Sequence, residues 1–313
     1  MRHATLRQLQ IFTSAATHLS FARAAEELHL SAPAVSIQIA QLEREARVPL
    51  FERLGRRLYL TAAGSALLRS STAIMGQLRA AEEELGALRG VEGGLLNVGV
   101  ISAGDYFLPT LLAGFCARHR GVQIALSVCN REDLIRRLDH NLVDLAIMSQ
   151  RPDGEDFAYV PFAAHPIIIV AAAAHRLAAA RRIPLSALAK EPFIAREHGS
   201  LTRVVMDETL RRARIKPAIA IEASSNETVK QSVAAGFGIA FLSAHAAGLE
   251  VQARRLAVLE VAELPVLRKW YAVHRRGKRL PAVAQAFVTH LEKEGAPEMQ
   301  RLVPPRLRRY WKE

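Results

Sequence analysis

Leu6, Leu9, Ile11, Phe12 and Ala16 share one side of a helix that ends near Leu19, where Ser20 caps a short second helix, Phe21 to Leu28. Val35, Ile39 and Leu42, spaced i, i+4, i+7, predict a third helix that Ser31 caps and whose first turn accommodates Pro33. The far side of this third helix carries no charge. It holds Ala32, Ser36, Ala40 and Gln41, with Ile37 and Gln38 at the margin, where a solvated face would carry Lys and Glu. Small residues and amides suit close approach and directed hydrogen bonds to base edges and thymine methyls in a DNA major groove. A helix buried on both sides is the alternative. Ala24 and Ala25 permit the second and third helices to cross closely, and His29-Leu30 leaves a turn of helix-turn-helix length. "LFERLGRRLYLT" predicts two short strands turning at Gly55, with Arg53, Arg56 and Arg57 at a basic tip suited to phosphates.

Thr61 caps a long helix. Leu67, Ser71, Ile74, Leu78, Ala81, Leu85 and Leu88 follow alternating steps of four and three, the seam of a two-stranded coiled coil and hence of a dimer. One amphipathic helix packed on its own domain would not need so regular a repeat. Gly90, Gly93 and Gly94 mark a hinge. From Leu95 the texture changes to short apolar runs alternating with helical patterns: "LLNVGVI", "LPTLLAGFCARH", "VQIALSV", "REDLIRRLDH", "VDLAIM". That alternation implies a parallel sheet with crossover helices, and a second such set follows "PIIIVAAAA". The expected division is residues 1–61 for DNA binding, 62–90 for dimerisation, 91–295 for a two-subdomain α/β ligand-binding region, and a basic tail over 296–313.

The stretch "FTSAATHLSFARAAEELHLSAPAVSIQIAQLEREARVPLFERLGRRLYLTAAG", with its LE…VPLFER and LT..G segments, resembles the winged helix-turn-helix of LysR-type transcriptional regulators. It departs at Ala32, where the family often has Gln, and at Ile37 and Ala40, where Arg, Met or Lys are common. Base readout then rests chiefly on Ser31, Ser36, Gln38 and Gln41, beside Ala32 and Pro33. The later α/β units resemble the family's effector-binding domain, itself similar to periplasmic binding proteins. The phrases "NREDLIRRLDHNLVDLAIM" and "SSNETVKQSVAAGFGIAFLSAHAAGLEV" are similar to the branch controlling Calvin–Benson carbon-fixation operons, usually as activators. The resemblance implies a cytoplasmic homodimer or homotetramer that binds double-stranded promoter DNA and a small effector, contacts RNA polymerase, and is not an enzyme. The sign of regulation and the effector stay open, and a regulator of another pathway with an aromatic or neutral inducer is the alternative.

Charge changes this picture little. The net +12 is spread unevenly: residues 1–90 hold 11 basic and 8 acidic side chains, residues 264–313 hold 12 and 4. The DNA-binding region is thus only mildly basic, and the tail "RLVPPRLRRYWKE" is expected to be a solvated end. Arg outnumbers Lys 35 to 7, so a single Arg is weak evidence of function. No apolar run reaches the length of a membrane span, and the first residues lack a signal peptide's apolar core. Cys116 and Cys129 form no CxxC pair and read as reduced structural residues.

Ligand sites in open α/β units lie at the carboxyl ends of strands, where helix N-termini offer free N–H groups. That rule selects Ser102, Ala103 and Gly104 after "NVGVI", Asn130 after "ALSVC", Ser149-Gln150-Arg151 after "DLAIM", and Gly199, Ser200, Thr202 and Arg203 in "FIAREHGSLTR". Each Ser, Asn or Thr is explained by capping taken singly; in the family these loops face one another across a cleft. Short donors at helix N-termini favour a small anion, with Arg151, Arg196 and Arg203 as candidate counter-charges and no cofactor or metal. "GFGIAF", residues 236–241, imitates a dinucleotide fingerprint but follows a helix and enters a strand, the reverse of the required order. It reads as a helix exit. No HExxH or GxSxG occurs, Cys116 and His119 lack partners for zinc, and Ser200 with His198 makes a poor nucleophile and base for a hydrolase. A small-molecule hydrolase or a solute-binding protein is the rival class.

Overall fold

The computed structural model describes residues 4–55, 57–88, 93–152, 154–303 and 308; in the long helix the side chains of 79, 80 and 82–88 lie outside that description. Arg56 and the side chains of Leu85 and Leu88 are therefore outside it. The chain divides into two units, residues 1–89 with 139–142, and residues 90–138 with 143–313.

In the first unit α1 (Leu6–His18) starts at Thr5, whose hydroxyl accepts from the Gln8 N–H while the Gln8 side chain accepts from the Thr5 N–H, a reciprocal capping box. Ser20 caps α2 (Phe21–Leu28) and Ser31 caps α3 (Ala32–Ala46), with Pro33 in the first turn. Both preceding helices end on a left-handed residue, Leu19 and His29, which turns the chain within one or two residues. Phe12, Ala15, Ala24, Val35, Ile39 and Leu42 fill the core between them. The hairpin β1 (Phe51–Leu54) and β2 (Arg57–Leu60) pairs Phe51 with Leu60 and turns at Gly55, whose φ is +64°. Thr61 caps α4 (Ala62–Leu88) by accepting from the Gly64 N–H at 2.9 Å. At Gly64 a Cβ would lie 2.0 Å from the Leu50 carbonyl oxygen, so the glycine lets the helix start against the hairpin.

Only part of the expected seam is free. Leu67 packs on the unit's own core beside Leu68, and Ser71 is wholly buried. Ile74 and Leu78 are 45% and 37% exposed. Self-packing therefore accounts for the N-terminal half of the repeat, leaving the rest of its described residues open.

The second unit is built on β3 (Gly94–Ile101), flanked in parallel by β4 (Val122–Cys129) and β5 (Leu145–Met148), with α5 (Leu108–Arg118) and α6 (Arg131–Asp139) as crossovers. The long β6 (Phe157–Ala172) crosses to the second half, where β7 (Pro192–Arg196) leads into α7 (Leu201–Arg212) and pairs in parallel with β8 (Ala218–Ala223). Then follow α8 (Asn226–Ala234), β9 (Ala240–Ser243), α9 (Gly248–Gln252), β10 (Leu256–Val258), the returning β11 (Val266–Arg275) and α10 (Ala282–Leu302). The crossing strands β6 and β11 are antiparallel to each other, so the seven-stranded sheet is mixed.

Three expectations change. Gly94 opens β3, and a Cβ on Gly93 would lie 2.8 Å from the Gly121 carbonyl oxygen, so close approach accounts for Gly93; Gly90 lies outside the described residues. The last helix does not stop near Gly295. It passes Pro297 and ends at Leu302, because Met299 and Val303 bury against the core and outweigh the hydrogen bond that proline removes. The start of the basic tail is thus packed.

Candidate DNA-binding face and effector cleft

Ala32, Pro33 and Ser36 of α3, the cap Ser20 with Phe21 and Ala22 of α2, and Arg53, Arg57, Leu58 and Tyr59 of the hairpin line one concave face of the first unit. The Arg53 guanidinium lies 6.0 Å from the Phe21 ring centroid, which holds it at the edge of that face. Recognition-helix residues and two wing arginines thus share a surface. Gln38 and Gln41 do not line it. At 100° per residue Gln38 lies about 60° from Val35 on the core side, and it is half-buried. Gln41 is half-buried too and accepts from the Gln8 side chain at 3.2 Å. Ile37, 56% exposed, stands on the open side with Ala40 and Arg44. The Ser31 hydroxyl is taken by the Ala34 N–H at 3.3 Å.

In the second unit, register assembles the cleft. Ile101 pairs with Cys129, and Val100 with Ile147, so Ser102, Asn130 and Ser149 leave three adjacent strands side by side. With the loop between β7 and α7 they enclose a cleft of about 390 Å³, lined by Ser102, Ala103, Asn130, Ser149, Gly199, Ser200 and Thr202 among others. With Gln150 these are eight of the eleven residues that the strand-end rule selects; Gly104, Arg151 and Arg203 are not in the lining. Gly199 has φ +89°, the backbone that aims Ser200 at the α7 N-terminus. The Ser200 hydroxyl accepts from the Arg203 N–H at 3.2 Å, and Asn130 Oδ1 from the Asp133 N–H at 2.8 Å, so both also serve as caps. The Ser149 hydroxyl is buried without a protein partner.

The arginines divide. Arg196, 6% exposed, lines the cleft; its Nε and Nη2 donate to the two Glu197 carboxylate oxygens at 2.7 and 2.8 Å, Nη2 also to Ser102 Oγ at 3.3 Å, and Nη1 to Asn226 Oδ1. Arg203, expected in the cleft, is drawn away by Asp207, by Glu222 at 2.7 Å and by the Arg196 carbonyl oxygen at 3.0 Å. Its hydrogen bond in turn holds the Glu222 carboxyl below its ordinary range. Arg151 lies over Tyr159, 4.3 Å from the ring centroid, and over Tyr271. Glu132 and Glu197 line the cleft beside Arg131 and Arg196, so charged side chains nearly cancel and the helix N-termini carry much of the pull on an anion.

His165, Cys129 and Glu197 also line the cleft and were not foreseen. His165 had a signal, a lone polar residue in the apolar "FAAHPIIIV". Burial pushes the Cys129 thiol up, against use as a nucleophile. The hydrolase reading loses its base: His198 Nε2 lies 3.1 Å from the Arg203 guanidinium, while Ser200 serves the cap and lies 3.4 Å from Thr202 Oγ1. Gly236 and Gly238 have φ of +87° and +153°, and a Cβ on Gly238 would lie 2.2 Å from the Pro192 carbonyl oxygen, which explains "GFGIAF" by backbone geometry. Among the described residues no helix is long and apolar enough to cross a membrane.

Residues 6–65 match the bacterial regulatory helix-turn-helix protein family, lysR type, and residues 89–296 the LysR substrate binding domain. The chain is 45% identical to the HTH-type transcriptional regulator CfxR of Cupriavidus necator, over 93% of this chain and 92% of that one. It is 44% identical to the RuBisCO operon transcriptional regulator of Acidithiobacillus ferrooxidans, over 93% and 94%. The Synechocystis PCC6803 CcmR regulatory domain in complex with 2-PG superposes with a TM-score of 0.61 at 36% identity, covering 64% of this chain and 96% of that one. With a winged helix-turn-helix and a two-lobed α/β domain that each match along their length, the chain belongs to the LysR family of DNA-binding transcriptional regulators.

Proposed function

We propose that this chain is an activator of a carbon-fixation operon, working in the cytoplasm as a dimer or tetramer and responding to a small anionic metabolite of the 2-phosphoglycolate class. The observation that carries the effector assignment is the convergence of three strand ends and the α7 N-terminus on one cleft that the buried Arg196 also lines. The relatives' names support the operon, and the 2-phosphoglycolate complex of the CcmR domain supports the ligand class. Ala32, Pro33 and Ser36 meet base edges, Arg53 and Arg57 meet phosphates, and the exposed Ile74 and Leu78 form the dimer seam, which the sequence spacing extends to Leu85 and Leu88. Regulation requires that the anion bind one arrangement of the effector lobes better than another, and that promoter occupancy or engagement of RNA polymerase follow that arrangement. Val128, Met148 and Leu201 in the lining favour a second reading, a neutral aromatic inducer.

Titration of the full chain with 2-phosphoglycolate, inorganic phosphate and neutral aromatics, followed by thermal stability and operator binding, separates the two. Stabilisation by the phosphorylated acid, weakened in Ser102→Ala and Thr202→Ala, is the expected result. Stabilisation by aromatics alone, or by phosphates undiminished in both variants, overturns the assignment.

A further inference from the structure

His165 stands in the middle of β6, 1% exposed, and lines the effector cleft. Neither of its ring nitrogens has a hydrogen-bond partner in the protein. Its ring stacks on Trp270, 4.3 Å between centroids and 24° between planes, and Trp270 is itself wedged against Phe107 at 4.7 Å. The His245 ring lies 6.0 Å away. If stacking were the whole role, a phenyl ring would fill the place without burying two polar atoms that nothing in the protein serves.

We infer that His165 is a specificity-determining contact of the effector, donating a hydrogen bond from a ring nitrogen to a carboxylate or phosphoryl oxygen of the bound anion. This rests on the cleft being the effector site. Burial, and secondarily His245, hold the His165 imidazole well below its ordinary pKa, so the ring is neutral and selects through a hydrogen bond rather than a charge. A neutral imidazole places its one N–H on either nitrogen, so it presents a donor to an oxygen anion whichever way the ring is turned. A ligand that fills the cleft but offers no oxygen to β6 leaves the buried donor unmade and is rejected.

Calorimetric titration of the full chain with 2-phosphoglycolate tests this. His165→Phe, which keeps the stack on Trp270, is expected to bind about 10-fold or more weakly with a melting temperature no lower than the parent's when unliganded. His165→Gln, which keeps a donor, is expected to recover part of that loss. Binding by His165→Phe within about twofold of the parent, while Ser102→Ala is weakened, overturns the inference and leaves the cleft assignment standing. Absence of any binding to the parent chain overturns both. Should the phenylalanine variant fail to fold, the parent's ¹⁵N-labelled histidine ring signals decide: the one missing in His165→Gln must shift on adding 2-phosphoglycolate, and an unmoved signal overturns the inference.

Discussion

Replacing Glu197 by glutamine should tighten binding of 2-phosphoglycolate. The Glu197 carboxylate holds Nε and Nη2 of Arg196 at 2.7 and 2.8 Å, so an anion seated on that guanidinium lies close to a resident negative charge. At ~5 Å and an effective dielectric of ~20–40, the repulsion is about 2–3 kcal/mol per unit of ligand charge. The Glu197 side chain is 31% exposed, so water and salt screen part of it. With roughly half remaining, a gain of about 1.4 kcal/mol, or tenfold, is a conservative expectation. Glutamine retains a carbonyl oxygen for Arg196, so the guanidinium keeps its direction toward Asn226 and Ser102. Calorimetry at low and high salt measures the effect, which must shrink as salt rises. Unchanged or weaker affinity in a variant of unchanged melting temperature would refute the competition and make the ion pair purely structural.

Acid should destabilise the second unit. Burial holds His245 down to about 3 and His165 well below 6.5, so below pH ~6.5 the unfolded chain binds protons that the folded chain refuses. Stability is full above that pH and falls by about 1.4 kcal/mol per pH unit per histidine as pH drops; denaturant titrations of His245→Phe between pH 6 and 4 should show a shallower slope than the parent, and equal slopes would contradict this. Ile74→Asp with Leu78→Asp places carboxylates in the open seam and should halve the solution mass and abolish operator binding, whereas an unchanged mass refutes the seam. On anisotropy titrations Gln38→Ala should change operator affinity by less than about 1 kcal/mol, while Arg57→Ala weakens operator and random DNA alike and flattens the salt dependence by about one unit of slope. A large, operator-specific loss in Gln38→Ala would restore it as a base reader.

Much of the architecture was legible because its determinants are local. Ser20, Ser31, Thr61 and Ser200 cap the helices they precede through contacts three residues on, and Val35, Ile39 and Leu42 declare a buried face by spacing alone. The strand-end rule likewise picked the cleft's Ser102, Asn130, Ser149 and Ser200, because parallel strands expose their polar turns at one edge of the sheet.

Reach and partner choice were not legible. Arg196 and Arg203 are seven residues apart in one segment, yet one fills the cleft and the other is held by Glu222 on a neighbouring strand. A long flexible side chain goes where distant carboxylates and carbonyls satisfy it, and spacing along the chain does not encode their positions. The repeat from Leu67 to Leu88 announced an apolar stripe; how much of it the unit's own core absorbs depended on where the three-helix core came to rest, which buries Leu68 and Ser71 and leaves Ile74 and Leu78 open. Sequence by itself determined the caps, the helix faces and the strand ends, since these are set within a few residues. The tertiary structure alone decided that His165 lies buried and unserved against Trp270, more than a hundred residues away in the chain, because that depends on two antiparallel strands crossing the sheet with His165 opposite Arg268 and the register shifting just after Trp270.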